Sequence, residues 1–278
     1  MQCRYKETMI IAGDWAYVEV HPTWRAAGKR RGKFRETSET QQRLNNRRAE
    51  LWLAAVAHAN FRRGDYALHC TYEDGELPED EDGFERDVRN FMARLRRLYR
   101  RAGAVLKYII VRAWSGKGRP HLHLILSGGV DRDKVEDCWG RGRSNCDRLE
   151  FNECGIADLA EYIGGQRKDG KTDREHVRRK GERRWSGSRN LEKPAERTNV
   201  TRYSRSALEE IADSSNAKWE TAKRYPGYWL AEFPDIRQNP VTHAWEMSCV
   251  LYRPDSDNLE AYARAGRRRS HERDKTGS

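Results

Sequence analysis

Two histidines one residue apart are the chemistry-bearing feature of this chain. They lie in the run Arg119-Pro120-His121-Leu122-His123-Leu124-Ile125-Leu126. In a strand, alternate side chains point to opposite faces. His121 and His123 then share one face, and Leu122, Leu124 and Leu126 share the other. Two imidazoles so placed suit a divalent metal, while the leucines anchor the strand that holds them. The bland alternative is a pair of surface histidines, and two on one face opposite three leucines favours the metal. His69 falls in another alternating run and can lie nearby or stand as a surface residue.

The elements that must position this strand are legible around it. Residues 65–73 alternate, with Tyr66, Leu68, Cys70 and Tyr72 on one face and Ala67, His69 and Thr71 on the other, which predicts a strand. Phe84, Val88, Phe91, Met92, Leu95, Leu98 and Tyr99 recur at helical spacing. Asp82 and Glu85 suit that helix's first turn, Arg100 and Arg101 its last, and Gly103 ends it. Residues 105–111 predict a strand, 115–119 a turn and 121–126 the next strand. Ser38 and Gln41 form a capping-box pattern for a helix running to about Asn60. A short helix is expected over 156–163, ended by Gly164 and Gly165. Strand, helix, strand, turn, strand implies an α+β fold: an antiparallel central sheet with helices packed on one face, plus terminal extensions. The expected division is a basic extension over 1–60 (short strands and a helix), a nuclease domain over 61–200, a C-terminal extension packed on it over 201–255, and a disordered basic tail over 256–278.

Composition narrows the class. The 278 residues carry 54 Lys and Arg against 43 Asp and Glu, a formal charge of +11. No stretch approaches the roughly 18 apolar residues of a membrane span, so no membrane association is expected. With 9 Trp, 12 Tyr and 6 Phe, the chain has the aromatic side chains that disordered chains lack. The six cysteines come without an apolar leader, so reduced thiols in a cytoplasmic protein are expected rather than a disulfide framework. Cys138, Cys146 and Cys154 read as ordinary small residues in preference to a zinc site. Net charge of this size implies a polyanionic partner. Residues 163–205 hold fourteen bases against six acids, a local +8. Residues 73–85 hold eight acids and no base, and read as a solvated loop.

The histidine run followed by apolar residues resembles the signature of the HUH endonucleases, which include rolling-circle replication initiators. Neighbouring segments extend the likeness to replication-associated proteins related to filamentous-phage initiators. They are Asn60-Phe61-Arg62-Arg63-Gly64-Asp65 with Thr71-Tyr72, Asn90 to Arg97 with Lys107-Tyr108-Ile109, and Arg183 to Leu191. The likeness covers roughly residues 1–250. It implies an HUH-type, ferredoxin-like or RRM-like sheet. It also implies a site-specific endonuclease that nicks and joins single-stranded DNA through a 5′-phosphotyrosine and a free 3′-OH.

By the resemblance, His121 and His123 hold Mg²⁺ or Mn²⁺. Tyr162, in Asp158-Leu159-Ala160-Glu161-Tyr162-Ile163, matches the nucleophile; on geometry alone it is equally a half-buried packing tyrosine. Tyr203 is a second candidate. Two positions depart from the pattern. Ala113 stands where many relatives carry an acidic third ligand, and Gly165 where a lysine is frequent.

Arg94, Arg97, Arg101, Lys107, Arg119, Lys168, Arg183, Arg184, Trp185, Ser186, Ser188 and Arg189 are candidate DNA contacts. Arginine beside an aromatic suits phosphate pairing with base stacking. The implied partners are single-stranded DNA or an origin hairpin, a host helicase and the replication machinery of a bacterial host, since no Gly-x-x-x-x-Gly-Lys-Ser/Thr pattern is present. Two other readings remain at this point: an origin-binding or regulatory protein with a weakened site, and a metal-dependent phosphodiesterase without covalent intermediate. A histidine-triad nucleotide hydrolase is disfavoured, because its next alternating histidine would fall at Ile125.

Overall fold

The computed structural model describes residues 4–23, 39–113, 119–151, 185–231, 233–240 and 242–253. Two compact units emerge, one of residues 49–150 and 156–192, the other of residues 1–48, 151–155 and 193–278.

The first unit is built on a five-stranded antiparallel sheet. Its strands are β3 (Tyr66–Thr71), β4 (Tyr108–Ala113), β5 (His121–Leu126), β6 (Ser144–Arg148) and β7 (Ser186–Gly187), in the order β6-β3-β5-β4-β7. Helix α2 (Glu81–Arg101) covers one face. Its start is set locally, because the Asp80 carboxylate accepts a hydrogen bond from Gly83 N at 2.7 Å. Its end is set by Gly103 at φ +67°, past which Ala104 N donates back to Tyr99 O. Between them Phe84, Val88, Phe91, Met92, Leu95 and Tyr99 are buried against Leu68, Cys70, Ile110, Leu122, Leu124 and Leu126. Each such side chain contributes about 2 kcal/mol of transfer free energy. The apolar alternate positions of the histidine strand are therefore what α2 grips, and the imidazoles face the other way.

That other face is covered in part. Ile109 and Ile125 on it are wholly buried, His123 is 9% exposed and His121 is half-buried. Helix α1 (Glu39–Asn60) contributes buried Leu53, Ala55, Val56 and Ala57 to this unit. Its last residue, Asn60, donates to Glu192 O and accepts from Lys107 Nζ and Glu192 N, tying the helix end to the β4 side of the sheet. β4 begins three residues later than expected: Val105 is exposed, and Lys107 instead exchanges hydrogen bonds with Ser127.

The expected acidic loop is partly neutralised. Glu76 and Asp87 both pair with Arg141, Glu85 with Arg112 and Asp74 with Arg119. Helix α3 (Arg132–Asp137), capped by Asp131, packs Val135 and Trp139 into the same core.

The second unit joins both ends of the chain. The hairpin β1 (Arg4–Ala12) and β2 (Trp15–Thr23) turns at Gly13-Asp14. It is flanked by β8 (Ala195–Asn199) on one side and by β11 (Trp245–Tyr252) on the other. β10 (Asp235–Gln238) and the short β9 (Trp229–Leu230) pair with β11. Helices α4 (Arg205–Asp213) and α5 (Ala217–Ala222) complete the unit, with Leu208 and Ile211 of α4 in its core. Composition divides these strands between separate N- and C-terminal extensions, whereas the sheet unites them. Local periodicity carries no information on such long-range pairing. Among the described residues, no helix is long and apolar enough to cross a membrane. Cys70, Cys138, Cys146 and Cys249 are free thiols.

Candidate metal centre

β3 and β5 pair so that His69 stands opposite His123 and Thr71 opposite His121. One sheet face thus presents His69, His121 and His123 together, with one ring nitrogen of each within 4.8 Å of the others. The His69 and His123 rings are parallel with centroids 4.5 Å apart, and the His121 ring stands on edge to both. Metal–nitrogen bonds of about 2.1 Å require closer approach than this, which a modest rotation of the rings supplies.

His121 Nδ1 lies 2.9 Å from the Arg119 carbonyl oxygen, which can only accept. Nδ1 must therefore carry the proton, and the Nε2 lone pair is left for a ligand. Burial, followed by the charges of His69 and His121, pushes His123 down to about 3. His69 is lowered by burial and then by His121. Both shifts favour neutral imidazole, the form that binds a cation. No other cluster of three such ligands occurs among the described residues.

Ala113, the position of the missing acid, pairs with His121 from the β4 side. The third donor comes instead from β3 on the opposite side of β5. His69 is the site residue that strand assignment alone leaves undecided. Its alternation marks the correct face, but only the β3–β5 register brings it to His123.

The candidate DNA contacts separate into groups. Arg97 and Arg101 are exposed on α2, on the side of the sheet away from the imidazoles. Arg94, on the same helix, donates to the carbonyls of Cys138 and Trp139 at 2.6 Å each. Lys107 Nζ is held by Asn60 and Glu192. Arg119 donates to Tyr72 O and pairs with Asp74. Trp185 is half-buried and Arg189 exposed. The Ser186 hydroxyl accepts from Arg112 Nη1 at 2.8 Å, and the Ser188 hydroxyl from Tyr108 N at 3.1 Å. Both serine hydroxyls therefore already serve the β4–β7 edge.

Tyr162, Lys168, Arg183 and Arg184 lie outside the described residues. Tyr203 is 4% exposed, shares a 2.9 Å hydrogen bond with the Tyr225 hydroxyl, and has its acidity weakened by burial. It is a core residue of the second unit and is set aside as a nucleophile.

A search of curated proteins and a search of solved structures each return no significant match. A family model does match. Residues 65–167, just over a third of the chain, fit the model of a replication-associated protein family, that of ORF2. The matched stretch opens at β3, contains all three imidazoles and spans the sheet through β6. Through that segment the chain belongs to the replication-associated protein ORF2 family.

Proposed function

We propose that this protein nicks and rejoins single-stranded DNA to start rolling-circle replication of a plasmid, phage or integrated element in a bacterial cytoplasm. One observation carries the reading: a three-imidazole cluster on a rigid sheet, inside the segment that matches a replication-associated family. His69, His121 and His123 would hold a divalent cation. When bound, that cation supplies polarisation of the scissile phosphate and stabilisation of charge on the displaced oxygen. Three nitrogen donors without a carboxylate suit Mn²⁺ better than Mg²⁺, while abundance favours Mg²⁺ in the cell.

The chain's own residues do the rest. The Arg119 carbonyl fixes the His121 tautomer, burial keeps His123 neutral, and the leucines opposite hold the strand in place. Tyr162 is the assigned nucleophile. Its phenol, with a pKa near about 10, is a weak nucleophile at neutral pH and needs an activated phosphate. The Tyr162 Oη–P bond forms as the P–O3′ bond breaks. The phenolic proton leaves and the 3′ oxygen ends as a hydroxyl. Phosphate energy is retained in the tyrosine ester, so rejoining requires no ATP. A host helicase would open the duplex.

Labelled single-stranded oligonucleotides from the protein's own locus test this, with and without Mn²⁺. A covalent adduct that disappears in Tyr162→Phe supports the reading. Cleavage surviving that substitution without adduct points to a phosphodiesterase. Binding without cleavage under any metal points to the second reading, an origin-binding protein with a weakened site. Ala113 and Gly165 motivate that alternative, and His69 answers the first of them.

A further inference from the structure

The second unit carries an aromatic surface that its own core does not use. Among the described residues, three large aromatic side chains are markedly exposed: Trp219 at 61%, Trp229 at 54% and Phe233 at 59%. All lie on or beside α5 and β9, which pack against each other. The strand alternates as expected, with Leu230 turned into the core and Trp229 turned out. Trp229 lies next to Tyr252, ring centroids 6.3 Å apart.

Cations are interleaved with these rings. Lys223 Nζ lies 5.3 Å from the Trp219 centroid, Lys218 Nζ 5.9 Å from Phe233, and Arg253 Cζ 5.7 Å from the neighbouring Tyr228. One acid intervenes, Glu220, paired with Lys223. Exposed aromatics gathered in one region mark an interaction site. Lysine is depleted at the centre of protein–protein interfaces, so rings alternating with ammonium groups argue against a protein partner. The same alternation suits an unpaired nucleic-acid strand: bases stack on the rings and phosphates meet the cations. A duplex hides its base faces and cannot use the rings in this way.

We infer that the surface formed by Lys218, Trp219, Lys223, Trp229 and Phe233 binds single-stranded DNA without sequence preference, as a second site outside the histidine sheet. It goes beyond the nicking reading and needs neither metal nor Tyr162.

The test uses the full chain in EDTA with a fluorescent oligo(dT) of about 16 nucleotides, followed by anisotropy. Wild type should bind the single strand more tightly than a duplex of equal length. Trp219→Ala/Trp229→Ala/Phe233→Ala should bind oligo(dT) roughly tenfold or more weakly, with an unchanged melting temperature. Lys218→Ala/Lys223→Ala should flatten the salt dependence of binding by about one to two ion equivalents. Trp219→Phe, which keeps a ring, should retain most of the affinity. Wild-type affinity in the triple variant overturns the inference. So does a triple variant that binds oligo(dT) normally but loses self-association in sedimentation, since the surface would then meet a second copy. The two readings fail separately: Tyr162→Phe abolishes the adduct and leaves oligo(dT) affinity unchanged, whereas the aromatic variant retains Mn²⁺ binding.

Discussion

His69 and His123 face each other directly across the β3–β5 ladder, their rings parallel at 4.5 Å. The third metal donor in this protein therefore comes from β3, while the β4 position flanking His121 is filled by the methyl group of Ala113. His69→Ala should weaken Mn²⁺ binding by about tenfold or more in titration calorimetry, with a small effect on folding. Adding Ala113→Glu to that variant should recover part of the affinity, because residue 113 flanks His121 from the other side. Unaltered Mn²⁺ affinity in His69→Ala would remove this residue from the site.

Arg94 offers a second test, because it separates structural arginines from DNA-facing ones. Its guanidinium closes off the carbonyls of Cys138 and Trp139 just past α3. Arg94→Ala should cost about 1 kcal/mol of stability, the low end for a charged donor because the side chain is exposed. Nicking of oligonucleotides should be unchanged when assayed below the melting transition. Arg97 is exposed on the same helix and caps no such pair of carbonyls. Arg97→Ala should leave stability within about 0.5 kcal/mol of wild type. Equal melting temperatures for the two variants would refute the distinction.

Gly142 sits at φ +142°, where the chain enters β6. A Cβ there would lie 2.6 Å from Thr71 O and 2.7 Å from Tyr72 C, and would also strike Glu73 N. These are backbone atoms of the strand end, so nothing flexible can give way. The flanking hydrogen bonds Thr71 N to Arg143 O and Glu73 N to Arg141 O would be strained as well. Gly142→Ala should destabilise the protein by about 2 kcal/mol or more, read by denaturant unfolding. An Ala variant as stable as wild type would show that this approach relaxes freely.

Glu7 supplies a pH signature for the second unit. It is 4% exposed, accepts from Arg202 Nη1 at 2.9 Å and from the Tyr225 hydroxyl at 3.2 Å. Burial raises its pKa above the ordinary 4.5, outweighing the opposing pull of Arg202 and the hydrogen bonds from Tyr225 and Arg202. A carboxyl raised in the fold contributes stability that is fully present below its unfolded pKa. That contribution is lost as pH rises through the folded value. The melting temperature of Glu7→Gln relative to wild type should therefore be more favourable at about pH 8 than at about pH 4. A difference that moves the opposite way would mean that the Arg202 pair dominates.

Much of the histidine sheet was legible in the residues themselves. Strand 121–126, the alternation of 66–71 and the buried stripe of α2 depend on local periodicity. Asp80 and Gly103 punctuate that helix by local hydrogen bonding and backbone geometry. Such signals need no knowledge of distant residues, so His121 and His123 could be placed on one face from the sequence, with leucines opposite.

Tertiary structure decided what depends on pairing across the chain. Register alone carries His69, fifty-two residues before His121, into the imidazole cluster and makes good the donor absent at Ala113. Long-range packing commits Arg94, Lys107, Ser186 and Ser188 to internal hydrogen bonds, although by type each could meet a phosphate. Sheet pairing likewise joins residues 4–23 to residues 195–252 in one unit. In each case the deciding partner lies far away in sequence, and no local pattern of charge or hydropathy identifies it.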